Sequence, residues 1–119
     1  MTFHAILSEL VEKVPGALGA ILADWEGEAV DQAGPLDTYE LRVVGAHKGV
    51  ILSNLRRVVS RLEGDCLREI VITTERSQTL VLPVTDDYFL VVFLERLAGL
   101  GRAQLEARRC LAGLRAEIA

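Results

Sequence analysis

Between residues 37 and 63 apolar side chains return every three or four positions with no intervening proline, which predicts one unbroken helix from Asp37 to Glu63. Leu41, Val44, Ile51, Leu52, Leu55, Val58, Val59 and Leu62 fall on one broad arc, the arc expected to bury against a sheet. Asp37-Thr38-Tyr39-Glu40 has the form of a capping box, in which the Asp37 carboxylate accepts a free backbone N–H of the first turn. Gly64 supplies the stop, because glycine alone turns left-handed after a helix without a Cβ clash. At 1.5 Å rise per residue such a helix is about 40 Å long. Two thinner stripes lie off the apolar arc. One holds Val43, Ala46, Val50, Asn54, Arg57 and Arg61, the other Arg42, Gly45, Gly49, Ser53, Arg56 and Ser60. Glycine inside a helix costs about 1 kcal/mol relative to alanine. Gly45 and Gly49 are therefore either simply tolerated or mark the close approach of a second helix or a partner backbone.

The flanking segments carry weaker but consistent patterns. Phe3, Ile6, Leu7, Leu10, Val11 and Val14 recur at helical spacing, and Pro15-Gly16 ends that helix. Ala17 to Ala23 is short and continuously apolar, as in a strand buried on both faces. Asp24-Trp25-Glu26-Gly27 reads as a tight turn with Gly27 suited to positive φ, and Glu28 to Gln32 as a more polar returning strand. After Gly64 come strands at Leu67–Thr74, Thr79–Val84 and Tyr88–Leu94, the last continuously apolar and so central. Pro83 has no N–H, so its end of the strand cannot join a full ladder. Leu97 to Gly101 opens a closing helix with Ala103, Ala107, Leu111, Leu114 and Ile118 near one face. The order α-β-β-α-β-β-β-α predicts an α+β fold, a five-stranded antiparallel sheet with one long and two shorter helices. At 119 residues the chain is expected to be one domain, residues 1–119.

Composition changes the picture in two ways. Half of the residues are hydrophobic and the mean hydropathy is +0.30, a surplus that suits an oligomer interface. The net charge of −4 gives no case for nucleic acid, but it is unevenly spread. Residues 1–36 hold six carboxylates against Lys13, whereas Glu40 to Glu63 holds Arg42, Lys48, Arg56, Arg57 and Arg61 against two. A basic helix on an acidic chain is ordinarily a solvated face. Clustering of Arg56, Arg57 and Arg61 nevertheless marks a candidate binding surface. Charge reversal at Arg56 and Arg57 is expected to leave the fold intact, as at other exposed positions.

The chemistry of an enzyme is missing. There is no Gly-rich phosphate loop ending in Lys-Ser/Thr and no Gly-x-Ser-x-Gly elbow. Ser8, Ser53, Ser60 and Ser77 lack a plausible base. Cys66 with His47 is imaginable as a dyad, but the expectation is a buried structural thiol, and Asp86-Asp87 reads as turn chemistry. Cys66, Cys110, His4 and His47 form neither a disulfide framework nor a zinc pattern, so no metal, cofactor or catalytic residue is expected and the thiols suit a reducing cytoplasm. No signal peptide is expected, and the longest apolar run, Tyr88–Leu94, is too short to span a bilayer.

The run Val14-Pro15-Gly16-Ala17-Leu18-Gly19-Ala20, then Ala23-Asp24-Trp25-Glu26-Gly27 and a short strand, resembles the opening of the roadblock/dynein light-chain family. The long second helix fits, as does Leu100-Gly101-Arg102 before the last helix, although Gly99 lies where the family usually has an asparagine. The compact ends and Asp87-Tyr88-Phe89-Leu90-Val91 are similar to short bacterial members related to the gliding-motility GTPase-activating protein. The resemblance implies a dimer whose second helices pack side by side and whose third strands pair into one continuous sheet. It also implies a regulator or adaptor of a Ras-like GTPase, some short relatives binding another roadblock protein instead. Expected interface residues on the long helix are Arg42, Val43, Gly45, Ala46, Gly49, Val50, Ser53, Asn54, Arg56 and Arg57. Ile70, Val71 and Ile72 are expected on an edge strand that would invite aggregation if left unpaired. The rival readings are a small-molecule sensor, disfavoured by a core of Val, Leu and Ile with few convergent polar groups, and a light-chain-type scaffold without a GTPase.

Overall fold

A computed structural model describes residues 2–26 and 28–119. Three helices, α1 (Phe3–Lys13), α2 (Thr38–Val59) and α3 (Leu100–Ile118), flank five strands. The strands are β1 (Ala17–Asp24), β2 (Ala29–Ala33), β3 (Ile70–Thr73), β4 (Ser77–Pro83) and β5 (Tyr88–Glu95). They form one antiparallel sheet in the order β2-β1-β5-β4-β3, with β5 central and β2 and β3 at the edges.

The apolar runs in β1, β4 and β5 are continuous because both faces of the sheet are covered. Ala20, Leu22, Leu80, Leu82, Leu90, Val92 and Leu94 point into a core closed by Ile6, Leu7 and Leu10 of α1 and Ala103, Ala107 and Leu114 of α3. The alternate residues Ile21, Ala23, Val81, Phe89 and Val91 point the other way, where Leu41 and Leu52 of α2 cover them. Thr2 starts α1 by accepting from the Ala5 N–H at 3.1 Å, and Asp37 starts α2 by accepting from Tyr39 and Glu40 at 3.1 and 3.4 Å. In the β1–β2 turn, Asp24 Oδ1 accepts from the N–H groups of Glu26 and Glu28, each at 3.0 Å. Gly27, expected at positive φ there, lies outside the described residues.

Several boundaries differ from the pattern, β4 among them, which begins at Ser77 rather than Thr79. α2 stops at Val59, about 33 Å from its start rather than 40. Beyond it Arg61, Leu62 and Asp65 donate to carbonyls three residues back, and Ser60 Oγ donates to the Arg57 carbonyl at 2.8 Å. Such tight turns cannot continue an α-helix. Gly64, at φ +76°, reverses the chain after these turns rather than at the helix itself. β3 begins at Ile70, not Leu67. In the observed register Arg68 would oppose Pro83. Val84 N–H donates to Tyr88 on the β5 side, so by strand alternation the Pro83 nitrogen faces β3, where it has no hydrogen to offer. α3 begins at Leu100, inside the segment expected to be its leading loop. That loop is anchored by buried Gln78, whose Nε2 donates to the carbonyls of Arg96 and Ala98 at 2.9 and 3.1 Å.

The two sheet edges are unequally dressed. β2 lies against α1, with His4 Nδ1 3.1 Å from the Gln32 carbonyl and 3.7 Å from Asp31 Oδ1. Arg42 of α2 adds a donation to Gln32 Oε1 at 3.4 Å. β3 has β4 on one side and, among the described residues, no strand on the other. Its Ile70 packs into the α2 side of the core, Ile72 is half-buried, and Val71 and Thr73 are exposed.

Candidate functional site

The orientation of α2 decides which of its residues are available. Leu41, Gly45, Gly49 and Leu52 are its buried positions. A Cβ on Gly45 would sit 3.3 Å from Ile21 Cδ1, and one on Gly49 would sit 2.7 Å from Phe89 Cζ. The two glycines therefore let the helix backbone settle onto β1 and β5. This corrects the expectation that placed them in a dimer or partner interface: they face the sheet. It also corrects the expected sheet-facing arc. Relative to that arc the helix is turned by about 80° at 100° per residue. Leu41 and Leu52 remain on the sheet and Val44 and Val59 are half-buried. Ile51, Leu55, Val58 and Leu62, expected inside, are exposed. The physical reason is proximity: with no side chain at either position, the helix backbone can come close to Ile21 and Phe89.

The stripe through Val43, Ala46, Val50, Asn54 and Arg57 consequently points away from the sheet. Val50 is 62% exposed, Asn54 and Arg57 are exposed, and Ala46 is half-buried. With Tyr39, Ile51, Leu55 and Val58, and Leu62 just beyond the helix, it gives the outer side of α2 a series of exposed apolar groups among His47, Asn54 and Arg57, which is unusual for a face turned to water. Sequence reasoning missed Ile51, Leu55, Val58 and Leu62 as surface groups. The spacing of Gly45 and Gly49, one turn apart, was the available signal for which side would be pressed closest to the sheet.

The other stripe is mostly committed within the fold. Arg42 reaches Gln32 as described, Ser53 is half-buried, and Arg56 lies across the indole of Trp25, 4.5 Å from the ring centroid. Its guanidinium donates to Asp86 Oδ1 at 3.0 Å and to the Asp86 carbonyl at 3.2 Å. Trp25 in turn meets Phe89 with ring centroids 5.2 Å apart. Charge reversal at Arg56 thus removes contacts inside the molecule, contrary to the expectation of a neutral surface change, whereas Arg57 is an exposed position. Trp25 is the chain's single tryptophan. Arg56→Ala is expected to lower stability by about 1 kcal/mol and to shift the tryptophan emission maximum, while Arg57→Ala changes neither. Fluorescence-detected urea unfolding of the two variants checks this.

Trp25, Ala46, Gly49, Val50, Ser53 and Asn54 also line a shallow hollow of about 280 Å³ beside the outer face. Among the described residues no three His, Cys, Asp or Glu side chains converge to hold a metal ion, and no helix is long and apolar enough to cross a membrane. What the surface offers is contact area: an apolar helix face, a basic helix end and an open strand edge.

The comparisons bear on this arrangement. The model of the Roadblock/LC7 domain matches residues 4–94. A Roadblock/LC7 domain from Streptomyces avermitilis superposes with a TM-score of 0.89 at 21% identity, covering 99% of this chain and 98% of that one. MglC from Myxococcus xanthus superposes at 0.73 and 26% identity, covering 98% and 99%. The gliding protein MglB from Thermus thermophilus superposes at 0.78 and 21%, covering 90% and 81%. No curated protein matches. With three helices around a five-stranded antiparallel sheet in this order, and a family match over most of its length, the chain belongs to the Roadblock/LC7 family.

Proposed function

We propose that residues 1–119 are one roadblock domain that works in the cytoplasm as a homodimeric, non-enzymatic regulator or adaptor of a Ras-like GTPase module. Its partners are a second copy of itself and a Ras-like GTPase, another roadblock protein, or both, with no role for nucleic acid, cofactor or membrane insertion. The observation that carries the reading is the apolar outer face of α2, with an open β3 as a second unpartnered surface. Water is a poor neighbour for Val43, Val50, Leu55 and Val58, and a second copy related by a two-fold axis brings the same face to cover them. Pairing of Ile70, Val71 and Ile72 across that axis supplies partners for the outer N–H and C=O groups of β3. The likeness to MglB, described as a gliding protein, and to MglC supports a bacterial motility or polarity setting. Arg57, on the open stripe at the basic end of α2, is suited to an acidic partner surface.

Light scattering at micromolar concentration tests the dimer. The expected mass is twice the 13.0 kDa of the chain, and a 13.0 kDa species alone overturns the reading. Calorimetry with GTP is expected to show no saturable binding, because the sequence has no cradle of backbone N–H groups and lysine for the phosphates.

A further inference from the structure

A second surface owes nothing to the outer face of α2. Where the β3–β4 ladder stops short of Pro83, the chain leaves a cleft of about 570 Å³ between the end of α2, the connection into β3, the β4–β5 turn and α3. Three guanidiniums from three different elements line it: Arg56 from α2, Arg68 from the connection and Arg115 from α3. Arg115 is held in place by donating from Nε to the Val84 carbonyl at 2.7 Å. Arg68 has no hydrogen bond or ion pair among the described residues. Asp65 and Asp86 are the carboxylates of the same lining, so the cleft carries a net positive charge on a chain whose total is −4.

The existing contacts show what the cleft accepts. Asp86 already lies on the fork of Arg56, yet its side chain is 99% exposed, so this pair contributes little and is open to exchange. We propose that this cleft binds an acidic segment of a partner protein, with glutamate or aspartate side chains seated on Arg68 and Arg115 and exchanging with Asp86 on Arg56. Planar guanidinium forks match carboxylates in two-point contact. The cleft is lined by three arginines, two aspartates and the hydroxyls of Ser60 and Thr85, unlike the mostly apolar sites that take small ligands. A long polyanion such as nucleic acid is opposed by the acidic remainder of the chain.

The cleft contains its own reporter. Cys66, expected to be buried, is exposed and lines it, whereas burial pushes the Cys110 thiol up to about 11, so a thiol reagent at neutral pH reads Cys66 first. The experiment uses the full chain and a fluorescein-labelled peptide of alternating glutamate and serine, with a lysine-serine peptide as control. The acidic peptide is expected to give saturable anisotropy at low salt and to slow modification of Cys66, and the basic peptide to do neither. Arg68→Glu is expected to weaken binding about tenfold or more without lowering the melting temperature, since Arg68 is exposed and unpaired. Absence of saturable binding, equal affinity in Arg68→Glu, or an unprotected Cys66 overturns the proposal. So does protection by inorganic phosphate or AMP where the peptide gives none, which would make the cleft a small-anion site. The proposal does not rest on the two-fold pairing, and light scattering on the same samples reports the oligomeric state, so failure here and failure of that pairing are separately visible.

Discussion

Gly49→Leu is expected to unfold much of the population or to lower the melting temperature by roughly 10–20 °C. The first added atom alone would lie 2.7 Å from Phe89 Cζ, closer than real Cβ contacts come. Phe89 yields only by disturbing its neighbours: it is fully buried, sits on the central strand and packs against Trp25. Overpacking of this kind costs about 1–3 kcal/mol for small additions, and a leucine adds three further carbons. Against a total stability of about 5–15 kcal/mol the loss is severe. Gly64→Ala is the control. Its φ of +76° carries a backbone cost of about 1–2 kcal/mol, but no atom lies within 4 Å of the new Cβ. Circular dichroism melts of the two variants rank them. If Gly49→Leu melts within about 2 °C of the parent and is merely monomeric, Gly49 belongs to an intermolecular seam and α2 does not lie on Phe89 as described.

The double substitution Val50→Asp and Val58→Asp is expected to do the reverse: a folded chain that no longer pairs. Val50 and Val58 are 62% and 58% exposed, so each change costs the monomer no more than about 0.5 kcal/mol. Across a two-fold axis every substitution appears twice, so four carboxylates would have to be desolvated, more than the exposed Arg57 of each copy can pair. A loss of at least about 3 kcal/mol, more than a hundredfold in the dimer dissociation constant, is expected. Sedimentation equilibrium measures it. A double variant that dimerises as tightly as the parent would move the seam off this face.

Both outcomes turn on a rotation of α2 that its hydrophobic pattern concealed. Reading the widest apolar arc as the buried one assumes that a helix turns its largest side chains inward. Here the inward side is made by Leu41, Leu52 and two glycines, and Ile51, Leu55, Val58 and Leu62 are left over. The strands were easier. Tyr88 to Leu94 has turn residues before it and no polar break, so its central place follows from burial on both faces. The Asp37 cap was also visible, because its mechanism is local. The start of β3 was not, since it depends on which residue the register sets opposite Pro83, forty-six positions after the cap. Arg56 was marked for its charge, but its real neighbours, Trp25 and Asp86, are distant in sequence and no spacing rule joins them.

The inequality of the two sheet edges has a consequence for the size of any assembly. β2 is guarded by His4 and Arg42, while β3 is bare. A chain with one sticky margin and one guarded margin cannot polymerise strand by strand. Once two copies have met through β3, each presents only its guarded side to newcomers. In the proposed pairing, growth along the sheet would end at two, and a fibre, which needs an adhesive margin at both ends of every link, would be denied its repeat.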